Sequence, residues 1–322
     1  MKDFYFMKNF WKKVEKPILA LAPMAGITDS AFRQICRENG ADVVYSEMAN
    51  VSAFFHNSQK TLELVKFSKN KEKYYVVQFF GKNPEHFAKA TLIVTKKIKP
   101  HGIDINFGCP AKKVFGHGSG CALMPQKKLA REIIKAVCEN TTLPVSIKIR
   151  AGIGSIDAVE FIKNIKDLPF STVMIHGRTY EGKFTGKVDF EIVSKIKKII
   201  SNKIVLANGG IDTPEKALEI LNKYPDIDGL GIARGILGKP FLFKQIKEII
   251  KSGKYAKYNF AKIAKLAVQH AQLLYKTKGD KGMFEIRKHL VWYFKGFPGT
   301  AELRKKLVLV KSVKEIKTIL KI

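Results

Sequence analysis

The sequence predicts a (β/α)8 TIM barrel over residues 1–253, followed by a small all-α helical bundle over residues 254–322. Eight short apolar runs alternate with amphipathic stretches across about 240 residues, which is the strand count and spacing of such a barrel. No G-x-G-x-x-G follows the first run, which weighs against a doubly wound open sheet. After Gly253 the β-like runs cease and helical periodicity continues alone.

Strands are predicted at Ile18–Ala22, Val43–Ser46, Tyr75–Phe79, Gly102–Ile105, Val145–Ile149, Thr172–Ile175, Ile204–Ala207 and Gly229–Ile232. Continuous apolar runs of this length suit parallel strands covered on both faces. Helices are predicted at Asp29–Glu38, Pro84–Ile98, Lys128–Glu139, Asp157–Lys166, Phe190–Ile200 and Pro214–Lys223. Pro84 and Pro214 suit a first helical turn, and Asn83 and Thr213 stand where a side chain caps it. In the bundle the predicted helices are Tyr258–Lys276, Lys281–Lys295, Ala301–Leu309 and Val313–Ile322, punctuated by Gly279, Gly282 and Pro298-Gly299.

Composition narrows the class. A 46% hydrophobic and 27% charged chain of 322 residues has ample material for a core. No apolar run reaches the roughly 18 residues that span a bilayer. Met1–Lys16 is charged at both ends and has no apolar segment before a small-residue site, so no signal peptide is expected. Cys36, Cys109, Cys121 and Cys138 form neither a C-x-x-C pair nor a zinc-like spacing with histidine. Scattered cysteines of this kind suit a reduced cytoplasm, and no metal is expected. We also expect a monomer.

The net charge of +30 calls for a polyanionic partner. Only eight arginines stand among the 58 basic residues, so compositional drift toward lysine is an alternative source of that charge. The arginines are more telling by position, because Arg150, Arg178 and Arg234 each fall at the end of a predicted strand.

Active sites of this fold gather at the C-terminal ends of the strands. Those ends carry Pro23-Met24-Ala25-Gly26, Gln78, Asn106 and Cys109, Lys148 and Arg150, His176 and Arg178, Asn208-Gly209-Gly210, and Ala233-Arg234-Gly235. Singly, Gln78 reads equally as a strand terminus, His176 as a satisfied core histidine and Lys148 as a snorkelling side chain. Jointly, on one face, they read as a site. Cys109 stands out, lying between Gly108 and Pro110 on a constrained turn with Gly116-His117-Gly118-Ser119-Gly120 behind it. A neutral thiol is a competent proton donor and a thiolate a strong nucleophile.

The last two loops indicate a phosphate. Gly209-Gly210 precedes a helix and Gly235 follows Arg234, which offers backbone N–H groups beside a positive charge. Lys148 and Gln78 are then placed to hold a planar polar ring, and FMN suits the size, although the residues do not select it over another phosphorylated ligand. In the bundle, Arg287, Lys288, His289 and Lys295 lie among Trp292, Tyr293, Phe294 and Phe297, a mixture that grips phosphate and stacks bases or simply builds a core.

The ordered set Ala22-Pro23-Met24-Ala25-Gly26-Ile27-Thr28-Asp29, Gln78-Phe79-Phe80-Gly81, Asn106-Phe107-Gly108-Cys109-Pro110, Lys148-Ile149-Arg150, Ile175-His176-Gly177-Arg178-Thr179 and Asn208-Gly209-Gly210-Ile211 resembles the tRNA-dihydrouridine synthases. Arg287-Lys288-His289 and Lys295-Gly296-Phe297-Pro298-Gly299 resemble the helical domain of that family's bacterial B-type branch. The resemblance runs from about residue 14 to about 310; Ala233 and Phe190 depart from a usual Gly and Trp.

The resemblance implies FMN at the barrel mouth, NADPH or NADH as reductant, and reduction of the C5=C6 bond of a uridine in the tRNA D-loop. By the family pattern Cys109 gives the proton to C5. Pro23, Met24, Ala25, Gln78, Lys148, His176, Asn208, Gly209, Gly210, Ala233 and Arg234 would bind the cofactor. Asn106, Arg178, Arg287 and Lys288 would bind tRNA. Two rivals are a flavin-dependent reductase of free pyrimidines on the same fold and a silent RNA-binding barrel. The first has no need of a basic helical appendix, and the second has no use for Cys109 and Lys148.

Overall fold

The computed structural model describes residues 9–322; the N-terminal reading over residues 1–8 lies outside them. The strands are β1 (Ile18–Leu21), β2 (Val43–Asn50), β3 (Tyr75–Phe80), β4 (Gly102–Phe107), β5 (Val145–Arg150), β6 (Gly152–Ile153), β7 (Ile156–Asp157), β8 (Thr172–His176), β9 (Ile204–Asn208) and β10 (Gly229–Ile232). Eight of them close a parallel barrel in the order β1-β10-β9-β8-β5-β4-β3-β2, while β6 and β7 form a small antiparallel hairpin above β5. All eight predicted runs are barrel strands.

The helices around the barrel are α1 (Ser30–Glu38), α2 (Val51–Phe55), α3 (Gln59–Leu64), α4 (Pro84–Lys97), α5 (Lys112–Gly116), α6 (Lys127–Cys138), α7 (Ala158–Ile165), α8 (Glu191–Ile199), α9 (Pro214–Lys223) and α10 (Leu242–Ser252). Caps fall where the sequence places them: Asn83 accepts from the Glu85 and His86 amides ahead of α4, and Thr213 accepts from Lys216 ahead of α9. The short helices α2, α3 and α5 and the amphipathic α10 were not anticipated. The first three are too brief to show helical periodicity.

Strand alternation divides the core in two. One parity faces outward and meets the helices in the main apolar layer, through Leu19, Val77, Ile103, Ile147, Ile175 and Val205. The other faces inward. Its lower positions, Ile18, Ala20, Val43, Tyr45, Val76, Met174 and Leu206, fill the barrel with Phe10 and Trp11 against them. Continued upward, the inward parity reaches Gln78, Asp104, Asn106, Ser146, Lys148, His176 and Asn208. Polar chemistry thus begins where the apolar filling stops.

Beyond the barrel lie α11 (Phe260–Lys278), α12 (Asp280–Tyr293), α13 (Ala301–Leu307) and α14 (Val313–Leu320). Their apolar cluster includes Ala31 and Ile35 of α1, so these helices pack directly on the barrel wall. Gly282, inside the predicted helix Lys281–Lys295, lies in the first turn of α12. A Cβ there would stand 2.4 Å from the Leu274 carbonyl oxygen, so the glycine permits a close crossing of α11 and α12. Leu290, Tyr293 and Phe294 are buried in this cluster, while Trp292 and Phe297 are half-buried. His289 is also buried, against Phe32 of α1 and His270 of α11. Burial pushes its titration well down, so it is a neutral packing group rather than a phosphate ligand.

Candidate active site

A cavity of about 940 Å³ opens at the C-terminal end of the barrel. It is lined by Cys109 and by every other predicted residue of the barrel, from Pro23, Met24 and Ala25 to Ala233 and Arg234. Arg287 and Lys288 of α12 do not line it. Lys288 reaches the carbonyl of Gly26, at the rim beyond Ala25. The Arg287 Nε donates to the Val310 carbonyl at 2.9 Å and its guanidinium lies over Phe284.

Register explains how the floor is assembled. Gln78 pairs with Asp104, which pairs with Ser146; one layer higher, Asn106 pairs with Lys148. His176 pairs with Asn208, and Asn208 with Gly231. A Cβ at Gly231 would come within 2.6 Å of the Met174 sulfur, and one at Gly209 within 2.7 Å of the His176 ring. Gly209 and Gly210 also hold φ of +114° and +66°, which few other residues adopt. Those glycines keep the mouth open and their backbone bare.

Hydrogen bonds fix the polar groups. Asn106 Oδ1 accepts from the Gly108 and Cys109 amides, each at 2.9 Å, and its Nδ2 donates to Gln78 Oε1 at 3.0 Å. Lys148 Nζ donates to Asn208 Oδ1 at 3.2 Å, and Asn208 Nδ2 donates to the Gly231 carbonyl. Arg150 is buried and committed to the Gly108, Thr179 and Lys183 carbonyls, so it braces the Cys109 turn against the loop above. Arg178 donates to the Gly186 carbonyl and Arg234 to that of Phe184.

The electrostatics follow from burial beside cations. Burial pulls Lys148 down to about 8, with Arg150 adding to the fall and Asp104 opposing it. Burial also pulls His176 down to about 2, reinforced by Lys148 and three arginines, so its imidazole is neutral at any working pH. Burial raises the Cys109 thiol above its ordinary value, against the Ala111 amide, Lys148 and Arg150. The thiol is therefore protonated at neutral pH. Cys109 is half-buried, whereas Cys36, Cys121 and Cys138 are buried.

Sequence reasoning missed Asp104, Ser146, Met48, Tyr180 and Phe184. Met48, Tyr180 and Phe184 line the cavity, and the latter two lie on a loop with no periodic signal. Asp104 did carry a signal, because an acid inside an apolar strand must find partners.

A closed parallel barrel with a polar, glycine-rimmed cavity at its C-terminal mouth defines a barrel enzyme. The dihydrouridine synthase family model matches residues 20–322. A probable tRNA-dihydrouridine synthase 1 from Synechocystis is 33% identical, the match covering 93% of this chain and 84% of that one. The tRNA-dihydrouridine synthases B of Shewanella oneidensis and Pseudomonas aeruginosa are 36% and 34% identical over 85% and 89% of the chain, covering 85% and 86% of their own. An old yellow enzyme from Trypanosoma cruzi shares the fold with a TM-score of 0.50 at 11% identity, over 75% of this chain and 95% of that one. The chain belongs to the dihydrouridine synthase family, in its bacterial B-type branch, and is an oxidoreductase. Among the described residues, no helix is long and apolar enough to cross a membrane, and no cluster of His, Cys, Asp or Glu is arranged to hold a metal.

Proposed function

We propose that the chain reduces the C5=C6 bond of a uridine in the tRNA D-loop, using FMN recharged by NADPH or NADH. The observation that carries this is the placement of the Cys109 thiol on the same cavity as Lys148, Gln78, His176 and a bare glycine cradle. The cavity fits the cofactor. Its volume accepts a tricyclic ring, and Gly209, Gly210, Ala233 and Arg234 supply amides and a guanidinium for a phosphate. Pro23, Met24 and Ala25, which follow β1 alongside β10, line the cavity next to that cradle. Bound FMN would supply the hydride that reaches uracil C6.

The chain's own residues do the rest. Cationic Lys148 neutralises charge at the polar edge of the ring, Gln78 orients that edge, and neutral His176 donates or accepts a hydrogen bond without adding charge. Cys109, kept protonated by burial, gives its proton to C5. Arg178 holds the uracil, while Asn106, its amide spent on Gln78 and on the Gly108 and Cys109 N–H groups, holds the Cys109 turn. Residues 254–322 form the tRNA-binding unit, with Lys288 among its contacts and Arg287 bracing it from within.

The test is turnover of unmodified tRNA against free uridine and free pyrimidine bases. Dihydrouridine formed in tRNA alone supports the reading. Reduction of the free bases at comparable kcat/KM transfers the chain to the small-molecule reductases, and a colourless protein inert on both makes it a binding module.

A further inference from the structure

Beneath the cavity floor, Asp104 is wholly buried in the barrel interior. A carboxylate in such a place needs donors on both oxygens, and it has them. Ser146 donates to Oδ1 at 2.6 Å and Gln78 Nε2 donates to Oδ2 at 2.7 Å. The second bond begins a directed chain. Because Gln78 spends its amide N–H on Asp104, its Oε1 is the atom left facing Asn106, which donates to it. Because Asn106 spends its amide N–H on Gln78, its Oδ1 is left for the Gly108 and Cys109 amides. Each amide in the series has only one orientation that satisfies both neighbours. Remove the acceptor at the base and the Gln78 amide loses its anchor, so that Asn106, which also touches the Met48 sulfur, rests on a side chain held at one end only.

We propose that Asp104 is a positioning residue which, through Gln78 and Asn106, sets the turn that carries Cys109. It touches neither the cavity nor the thiol, and acts by anchoring the Gln78 amide on which Asn106 rests. Its worth to catalysis rests on the proton-donor reading of Cys109, but its effect on the turn does not. The placement is a consequence of register: Gln78, Asp104 and Ser146 share one layer, and Asn106 lies two residues above Asp104 on the same inward face. A short polar stack therefore links the apolar filling of the barrel to the reactive turn.

The experiment is alkylation of the half-buried Cys109 by iodoacetamide in the cofactor-free and tRNA-free protein, with Cys109→Ala as background. Asp104→Leu deprives Gln78 of its acceptor, so the turn loosens and alkylation accelerates by about tenfold, the scale of one lost hydrogen bond to a charged group. Asp104→Asn still offers an oxygen to Gln78 and its amide to the Ser146 hydroxyl, so the rate stays within about twofold of the parent. Should Asp104→Leu fail to fold, Gln78→Leu cuts the same chain one link higher and gives the same acceleration. A parental rate in either leucine variant overturns the proposal. So does an Asp104→Asn protein as reactive as Asp104→Leu, which would make the charge facing Lys148 the operative feature. Failure of the synthase reading shows instead in the tRNA assay, which this measurement does not use.

Discussion

At Cys109 three influences meet: burial holds the proton on, the Ala111 amide and the Lys148 and Arg150 cations favour its departure, and the Asn106 side chain fixes the turn. On the proposed function, this balance suits a donor that must keep its proton until charge develops beside it. Cys109→Ala should still bind flavin and accept electrons from NADPH in the absence of tRNA, while dihydrouridine formation falls by about 10²–10⁴. Stopped-flow flavin reduction alongside tRNA turnover separates the two half-reactions, and equal loss in both would make the thiol structural. Lys148 gives a pH prediction. Its ammonium, pulled from an ordinary 10.5 to about 8, is charged below that value and neutral above it. Flavin affinity should therefore decline as pH rises through about 8, and the step should vanish in Lys148→Met. For stability the sign is opposite: between about 8 and 10.5 the unfolded chain binds more protons, so the parent gains stability relative to Lys148→Met as pH rises through that window. Residues at strand ends were legible because the fold sends its chemistry there. Asp104 signals in sequence only that it needs partners; which partners is a matter of register with Gln78 and Ser146, which no single run displays.

Elements were legible in proportion to their periodicity. The eight barrel strands are continuous apolar runs, and α4 and α9 announce themselves by a cap followed by proline. Helices α2, α3 and α5, of five or six residues, lack a full amphipathic repeat and so carry no periodic signal. Gly282 lies in the first turn of α12, within the predicted helix Lys281–Lys295. Why glycine stands there is a packing requirement that arises only once α11 lies against α12. Gly282→Ala should accordingly destabilise the protein by about 1–3 kcal/mol, although alanine is the better helix former. Gly253→Ala, where nothing lies within 4 Å of the new Cβ, meets only the strain of its left-handed φ of +71°. Denaturant midpoints of the two variants test this, and a more stable Gly282→Ala would refute the close-crossing account.

At the scale of the whole molecule, the helical unit does more than hang from the barrel. Lys278 of α11 bonds Asp29 at the head of α1 and Glu285 of α12, and Lys288 grips the Gly26 carbonyl while Glu47 accepts from the Gly26 amide. The loop that forms one wall of the cavity is thereby held from both sides. The paired basic residues of α12, indistinguishable in sequence, consequently have different duties. Arg287 is engaged with the Val310 and Leu309 carbonyls and the Phe284 ring, bracing the turn between α13 and α14. Arg287→Ala should lose about 1.5–3 kcal/mol of stability, the range for hydrogen bonds from a charged donor. Lys288 has a single exposed carbonyl contact and an ammonium free to exchange it for phosphate. Lys288→Ala should keep its melting temperature but flatten the salt dependence of tRNA binding by about one unit of slope. Measuring salt-dependent tRNA affinity and melting temperature on the same preparations decides between the duties. A destabilised Lys288→Ala with normal tRNA affinity would make that lysine a domain clamp, and an Arg287→Ala that melts normally yet binds tRNA weakly would return the arginine to the RNA interface.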